Sequence, residues 1–292
     1  LNTELIANYL NAHFNSGYEI EPLLEIVDEY IAKIKEEYEW GYSVPYYLAA
    51  INGCHPNYAS YLSGKNTLNV KSIGTILRSI EPERRALFDK DLAEERYNEF
   101  QSQEINDDEA IRILRSTIEG KSVLVLAPGQ SLSEHEEEIK IMAKEQECVI
   151  VAASFVPDFI DTDYVFLGNL KRYMTTFNPT KKRINLIHTS NIKVEERGSI
   201  SVNYSSLLNE EYCIKDNSGV MLLNLFAKLN PAKVFVAGMD GYKAKEANYC
   251  LNRLAFKHDY EQAAALNEAI ANRLKQLRNQ LNIEFVTPSL YE

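Results

Sequence analysis

The sequence predicts an α/β fold, a mostly parallel, doubly wound sheet preceded by an all-helical segment. Three observations carry this. Apolar positions recur at helical spacing in the first part of the chain, with no convincing strand before residue 120. After Gly120, seven apolar runs of strand length follow. Helical patterns separate several of those runs, the alternation expected of βαβ units.

Taken in order, residues 3–14 and 21–38 form helices, the second with Leu23, Ile26, Val27, Tyr30, Ile31 and Ile34 at helical spacing. Leu1-Asn2-Thr3-Glu4 marks a helix start with Thr3 as N-cap, which implies either a chain cut from something longer or a numbering that begins at an internal residue. Gly17 stops the first helix, and Pro22 begins the second, where its missing N–H is harmless. Gly41 and Pro45 open an aromatic stretch over 40–61, with a turn at Asn52-Gly53-Cys54-His55-Pro56 before another short helix. Helices are expected again at 69–79 and 89–101. The polar stretch 101–108 is the linker, and Asn106 or Asp107 caps a helix at 108–118. Strands are predicted at 122–127, 148–153, 163–168, 184–188, 200–203, 233–238 and 283–287, with helices at 131–146, 217–229 and 259–281. The domains are therefore 1–104, all-helical, and 105–292, α/β and Rossmann-like.

The 292 residues leave room for these two domains, and an α/β domain of this size needs neither metal nor disulfides to hold together. The net charge is −11, and most of it lies early: residues 1–119 carry 11 Lys/Arg against 21 Asp/Glu. That balance argues against nucleic acid as a partner. No apolar run is long enough for a membrane span, and no signal peptide opens the chain. Cys54, Cys148, Cys213 and Cys250 are scattered, as expected of buried free thiols in a reducing compartment, with the cytoplasm as the default location. No His, Cys or carboxylate set has metal-ligand spacing, so no metal or other cofactor is expected in this chain.

The strongest local signal for chemistry is Val125-Leu126-Ala127-Pro128-Gly129-Gln130-Ser131-Leu132. A buried strand turns at one glycine into a helix, so the amides at 130–133 are expected to point at an anion. Ser131 either caps that helix or bonds a phosphate. Neither dinucleotide-binding nor Walker-type glycine patterns are present. Three further segments fall at strand ends on the same edge: Asn169, Lys171 and Arg172 after the third strand, Ser218 and Gly219 at a helix start, and Asp240 in Gly238-Met239-Asp240-Gly241, placed to accept from a hydroxyl or ribose. Each alone also fits an ordinary turn or cap. Lys181-Lys182-Arg183 is either a further anion contact or a surface loop. Among the histidines, His13 and His135 lie on polar helix faces, His55 packs against its turn, and His188 ends a strand facing the pocket. His258 serves either as a general base or as a helix-capping surface residue.

Two family resemblances meet these residues. Leu1-Asn2-Thr3-Glu4 resembles the end of the G-N-x-x-T-E motif that closes the barrel of the pyruvate-handling metallolyases, the group of isopropylmalate synthase, hydroxymethylglutaryl-CoA lyase and 4-hydroxy-2-oxovalerate aldolase. The segments Glu39-Trp40-Gly41-Tyr42-Ser43-Val44-Pro45 and Cys54-His55-Pro56-Asn57-Tyr58 are similar to the tails of aldolase-like members found among bacterial surface-polysaccharide genes. This resemblance implies the C-terminal part of an aldolase, whose divalent metal would belong to a barrel preceding Leu1. The second covers 120–275: APGQSL, NSGVMLLNLFAKL and KVFVAGMDGY look like the order of motifs in sialyltransferase-like proteins and motility-accessory glycosyltransferases. By position it implies that Gly129 and Ser131 touch donor phosphates, that Ser218 and Gly219 meet the nucleotide, and that His258 stands near the catalytic base. Ala127 and Pro128 depart from that family's donor-binding Gly-Asn.

The favoured expectation is the C-terminal region of a pyruvate-type aldolase, in which this part binds a nucleotide or nucleotide-sugar-like anion and aids assembly. The expected partners are that ligand, the chain's own N-terminal barrel and further copies of itself. The alternatives are a glycosyltransferase-like enzyme, with His258 as base and Asp240 orienting substrate, and a non-catalytic scaffold.

Overall fold

The structure, a computed structural model, describes residues 2–37, 43–65, 67–176, 185–194, 198–251 and 257–292. Leu1, Glu39, Trp40, Gly41, Tyr42 and the Lys181-Lys182-Arg183 cluster, singled out above, lie outside the described residues. The chain divides into two compact units, one of residues 1–64 and 70–93, the other of 65–69 and 94–292.

The first unit is helical. Its elements are α1 (Thr3–Phe14), α2 (Glu21–Ile26), a π-helical turn (Val27–Ile31), α3 (Ala32–Glu37), α4 (Val44–Ile51), α5 (Pro56–Gly64) and α6 (Val70–Ser79). Thr3 is not the cap of α1: Asn2 holds that place and Thr3 is already helical. The helix ends on Asn15 in the left-handed conformation, before Gly17 is reached. Pro22 sits in the first turn of α2, as its chemistry favours. The interior of the unit is built around Tyr58, Ala59, Leu62, Ile76 and Leu77, all fully or almost fully buried. The Tyr58 hydroxyl lies 3.1 Å from the carbonyl oxygens of Arg84 and Leu87 and accepts from the Asp89 amide at 3.1 Å. One phenol oxygen thereby orders a loop that has no ladder of its own. His55 packs as expected, its Nδ1 accepting from the Asn57 amide at 3.2 Å.

The second unit carries the sheet. Its strands are β1 (Ser122–Leu126), β2 (Val149–Ala153), β3 (Tyr164–Leu167), β4 (Leu186–Thr189), β5 (Ile200–Val202), β6 (Lys233–Ala237) and β7 (Ile283–Phe285). They pair in the order β5-β4-β3-β2-β1-β6-β7, and every pairing is parallel. This is the doubly wound, Rossmann-like arrangement that the apolar runs predict. The central strands are apolar throughout because both faces are covered. Val123, Val125, Val234 and Val236 pack in one layer with α8 (Asp108–Ile118), α12 (Ser218–Leu229) and α13 (Tyr260–Leu277). Leu124, Leu126, Phe235 and Ala237 face the opposite layer, with α9 (Ser131–Glu134) and α10 (Glu136–Glu145). α7 (Lys90–Gln101) and α11 (Leu170–Thr176) complete the named helices.

The helix expected over 131–146 breaks at His135, whose backbone leaves the helical region. The His135 Nδ1 lies 3.0 Å from the Ser131 carbonyl, so this ring contacts the backbone rather than standing free in solvent. The four cysteines are free, yet only Cys54 is buried and Cys213 is exposed, which corrects the expectation of four buried thiols. Among the described residues no helix is long and apolar enough to cross a membrane.

Replacing Tyr58 by Phe should cost the fold about 0.5–1.5 kcal/mol, because it removes part-buried hydrogen bonds to three backbone groups. A urea denaturation midpoint unchanged in Tyr58→Phe would show that this hydroxyl orders nothing.

Candidate functional site

The carboxyl ends of parallel strands form the edge where such sheets hold ligands, most often where the strand order reverses. Here β1 lies between β2 and β6, so the reversal falls between β1 and β6. Two turns leave the sheet there, Ala127-Pro128-Gly129 from β1 and Gly238-Met239-Asp240 from β6.

These turns are fastened to each other. The Gly129 amide donates to the Gly238 carbonyl at 2.8 Å. The Ser131 amide donates to Asp240 Oδ2 at 2.8 Å, and the Ser131 hydroxyl to Asp240 Oδ1 at 2.5 Å. Asp240 therefore supplies the negative charge that the helix start was expected to draw from a ligand. The amides of Gly129 and Ser131 are therefore engaged within the protein rather than open at this bend. Gly129 serves space inside the protein: a Cβ there would lie 2.2 Å from the Gly238 carbonyl oxygen and 2.6 Å from Asp240 Cγ. Ser131 neither caps α9 nor stands exposed; Gln130 holds the cap position, and its Nε2 donates to the carbonyls of Ala247 and Tyr249 at 3.0 and 2.9 Å.

A second group of the expected residues gathers where β3 ends and α12 begins. Gly168 follows β3, and a Cβ on it would approach Ser218 Oγ to 3.1 Å. A Cβ on Gly219 would meet Met239 Cε at 2.8 Å, so the first turn of α12 lies against the β6 turn as well. Asn217 caps α12, its side chain accepting from the Val220 amide, while its carbonyl accepts from Met221. With those two amides engaged, the donors of the first turn left open among the described residues are the amides of Ser218 and Gly219.

Asn169 is buried, and its Oδ1 accepts from the Arg172 amide at 2.9 Å, starting α11. Lys171 does not join the group: its side chain is exposed, and its amide donates to the Thr67 carbonyl at 3.3 Å. The Arg172 guanidinium lies over the Tyr249 ring, 5.5 Å from its centroid. Burial lowers its pKa, and the hydroxyls of Tyr249 and Tyr242 oppose that shift. The Tyr249 and Tyr242 hydroxyls are 3.3 Å apart, and Asn217 Nδ2 donates to Tyr242 at 3.2 Å. Arg172, Tyr249, Tyr242 and Asn217 thus form one continuous line from α11 to the start of α12.

His258 stands beside that line, edge-on to Tyr242 with ring centroids 5.0 Å apart. Burial lowers its pKa, with a Gln262 hydrogen bond and the charge of Asp259 acting against the shift. It does not cap α13. Asp259 does, in a capping box with Gln262. His188 is buried on β4, its Nδ1 lying 3.2 Å from the Thr189 carbonyl. Among the described residues no three His, Cys, Asp or Glu side chains gather around a point where a metal would sit.

Asn217 and Tyr242 lie at the ends of motifs noted in the sequence and Tyr249 lies in none; none of the three is singled out there, because the contacts that join them span the fold. Ser154 escapes a reading of the sequence too. It follows β2 with φ of +69°, a left-handed conformation uncommon for a residue with a Cβ. Such a residue at this edge is a common mark of a functional rim. The chain matches no family model and no curated protein.

Gly129→Ala should cost about 1–3 kcal/mol or more, because backbone oxygen rather than a flexible side chain stands in the way. Wild-type stability in Gly129→Ala, read by urea unfolding, would mean that the two turns do not close on each other. Burial holds the His188 pKa below its ordinary 6.5. The unfolded chain then takes up the proton first, so stability should fall as the pH drops through 6.5. His188→Leu should flatten that slope, and an identical slope in both proteins would assign it to other groups.

Proposed function

We propose that the α/β unit binds a small nucleotide-type anion, held by the first turn of α12 rather than by the Gly129 bend. The observation that carries this reading is the meeting of Gly168, Ser218 and Gly219. These small residues let the β3 end and the β6 turn pack tightly against a twelve-residue helix, whose positive end keeps the part-exposed residues Ser218 and Gly219 at the rim. Arg172 brings a cation to the far end of the line that ends at the α12 cap, and the Tyr249 and Tyr242 rings offer surfaces for a base or sugar. An anion has a reason to bind at this start and little reason to bind at Ser131, where Asp240 already supplies the charge.

In the wider proposal this unit is the ligand-binding part of a pyruvate-type aldolase of the polysaccharide-associated kind. The opening motif and the Cys54–Tyr58 segment support that assignment, with the chemistry carried by a metal-bearing barrel. One observation favours the transferase reading: His258 touches Tyr242, which in turn bonds the α12 cap. An imidazole kept neutral by burial suits a general base.

Thermal-shift measurements with nucleotides and nucleotide sugars test the proposal. A ligand at about 100 times its dissociation constant should stabilise the wild type by roughly 2.7 kcal/mol. Ser218→Pro removes one of the two open amides at the helix position where proline is best tolerated, and Asn217 already has the extended backbone that precedes proline. The variant should melt like the wild type without ligand and lose most of the ligand-induced shift. Equal shifts in the two proteins would place the ligand elsewhere. Turnover that disappears in His258→Ala while binding persists would favour the transferase.

A further inference from the structure

Asp216 directly precedes the α12 cap, and the binding site described above makes no use of its carboxyl group. That group is enclosed by polar side chains from several elements. The Tyr97 hydroxyl, from α7, donates to Asp216 Oδ2 at 3.1 Å. A phenol oxygen has one proton to give and two lone pairs. With its proton on Asp216, Tyr97 accepts from Gln101 Nε2 at 3.2 Å and pairs with Thr67 Oγ1 at 2.8 Å, so its capacity is filled. The Tyr204 hydroxyl, just beyond β5, bonds into the same group.

Two ammonium groups act on Asp216 by charge, Lys65 and Lys215. Lys65 is itself engaged by Glu94 and Tyr212, at 2.5 and 2.6 Å, and Lys215 by Asn98 at 3.0 Å. Next along the chain, Asn217 is tied to Tyr242. The start of α12 is therefore anchored twice in succession, through Asp216 to α7 and through Asn217 to the β6 turn.

We propose that Asp216, held by Tyr97, is a positioning residue that sets the first turn of α12 and couples anion binding there to its own protonation. The coupling rests on the reading of Ser218 and Gly219 as the anion-facing amides. An ionised carboxylate beside a helix start offers negative charge to the same positive end that a bound anion uses. Protonation removes the competitor. Burial raises the Asp216 pKa above the ordinary 3.8, while the Tyr97 hydrogen bond and the two lysines work in the opposite direction. Anion affinity is then highest below the folded pKa and declines as the pH rises through it. By linkage, a bound anion raises that pKa further.

The test uses the full chain and sulfate, whose charge stays constant across the titration. Amide resonances of Ser218 and Gly219 are followed by nuclear magnetic resonance as the pH is varied. In the wild type both should titrate with one midpoint above 3.8. Sulfate affinity should fall about two- to fivefold across that midpoint. In Asp216→Asn the amides should cease to titrate, and sulfate should bind at the tighter level at every pH. Tyr97→Phe keeps the carboxyl but removes a donor to its charged form, so the midpoint should move upward. That direction tests the pair even where Asp216→Asn folds poorly. Titration that persists unchanged in Asp216→Asn, or amides that never move in the wild type, would overturn the proposal. Sulfate that binds with the same affinity on both sides of the midpoint would overturn the coupling while leaving the anion site standing. Amides that titrate through Asp216 while sulfate binds at no pH would support the positioning role and overturn the anion reading with its coupling.

Discussion

The carboxylate of Asp240 is the fastening on which the carboxyl edge of the sheet depends. It accepts from both donors of Ser131 and so joins the turn after β1 to the turn after β6. The Gly129 amide and the Gly238 carbonyl close the same seam through the backbone. A hydrogen bond to a charged group is roughly twice as strong as a neutral one, which suits a seam at the point where the strand order reverses. The requirement for glycine at 129 follows from this closeness, since the fold leaves no volume there for a Cβ.

With that seam closed, the proposed anion site lies on the β3 side of the edge. The small residues around the start of α12 let it pack closely on its neighbours, and the line from Arg172 through Tyr249 and Tyr242 ends at its cap, Asn217. The helix behind this turn is almost wholly buried. Asn224, its interior polar residue, donates to Leu207 and Asn209 and accepts from Arg273. A helix held on all sides presents its first turn with little freedom, which lowers the cost of ordering a ligand against it.

The sheet was legible because parallel strands covered on both faces must be apolar along their length, and runs such as Val123–Leu126 and Val234–Ala237 stand out from the helices between them. All seven strands fall within two residues of the expected bounds. The candidate site was legible only in part. A glycine turn ahead of a helix reveals that amides are exposed locally, but not what faces them from a distant strand. Ser131 and Asp240 are 109 residues apart, and only the adjacency of β1 and β6 brings them together. The same reason hid Tyr97, whose partners Thr67 and Asp216 are 30 and 119 residues away. Ser218 and Gly219 were legible because a cap motif and its helix are contiguous.

The strand order also governs how the sheet can be assembled during synthesis. β1 to β5 pair successively with neighbours already made, so that half of the sheet grows outward from β1 as the chain lengthens. The other flank of β1 waits for β6, which begins at Lys233. Until then a row of unsatisfied backbone donors and acceptors on a five-residue apolar strand lies open, a template for pairing with any extended segment nearby. The last strands thus act as a late seal, and a nascent chain halted between β5 and β6 would be the form most prone to aggregate.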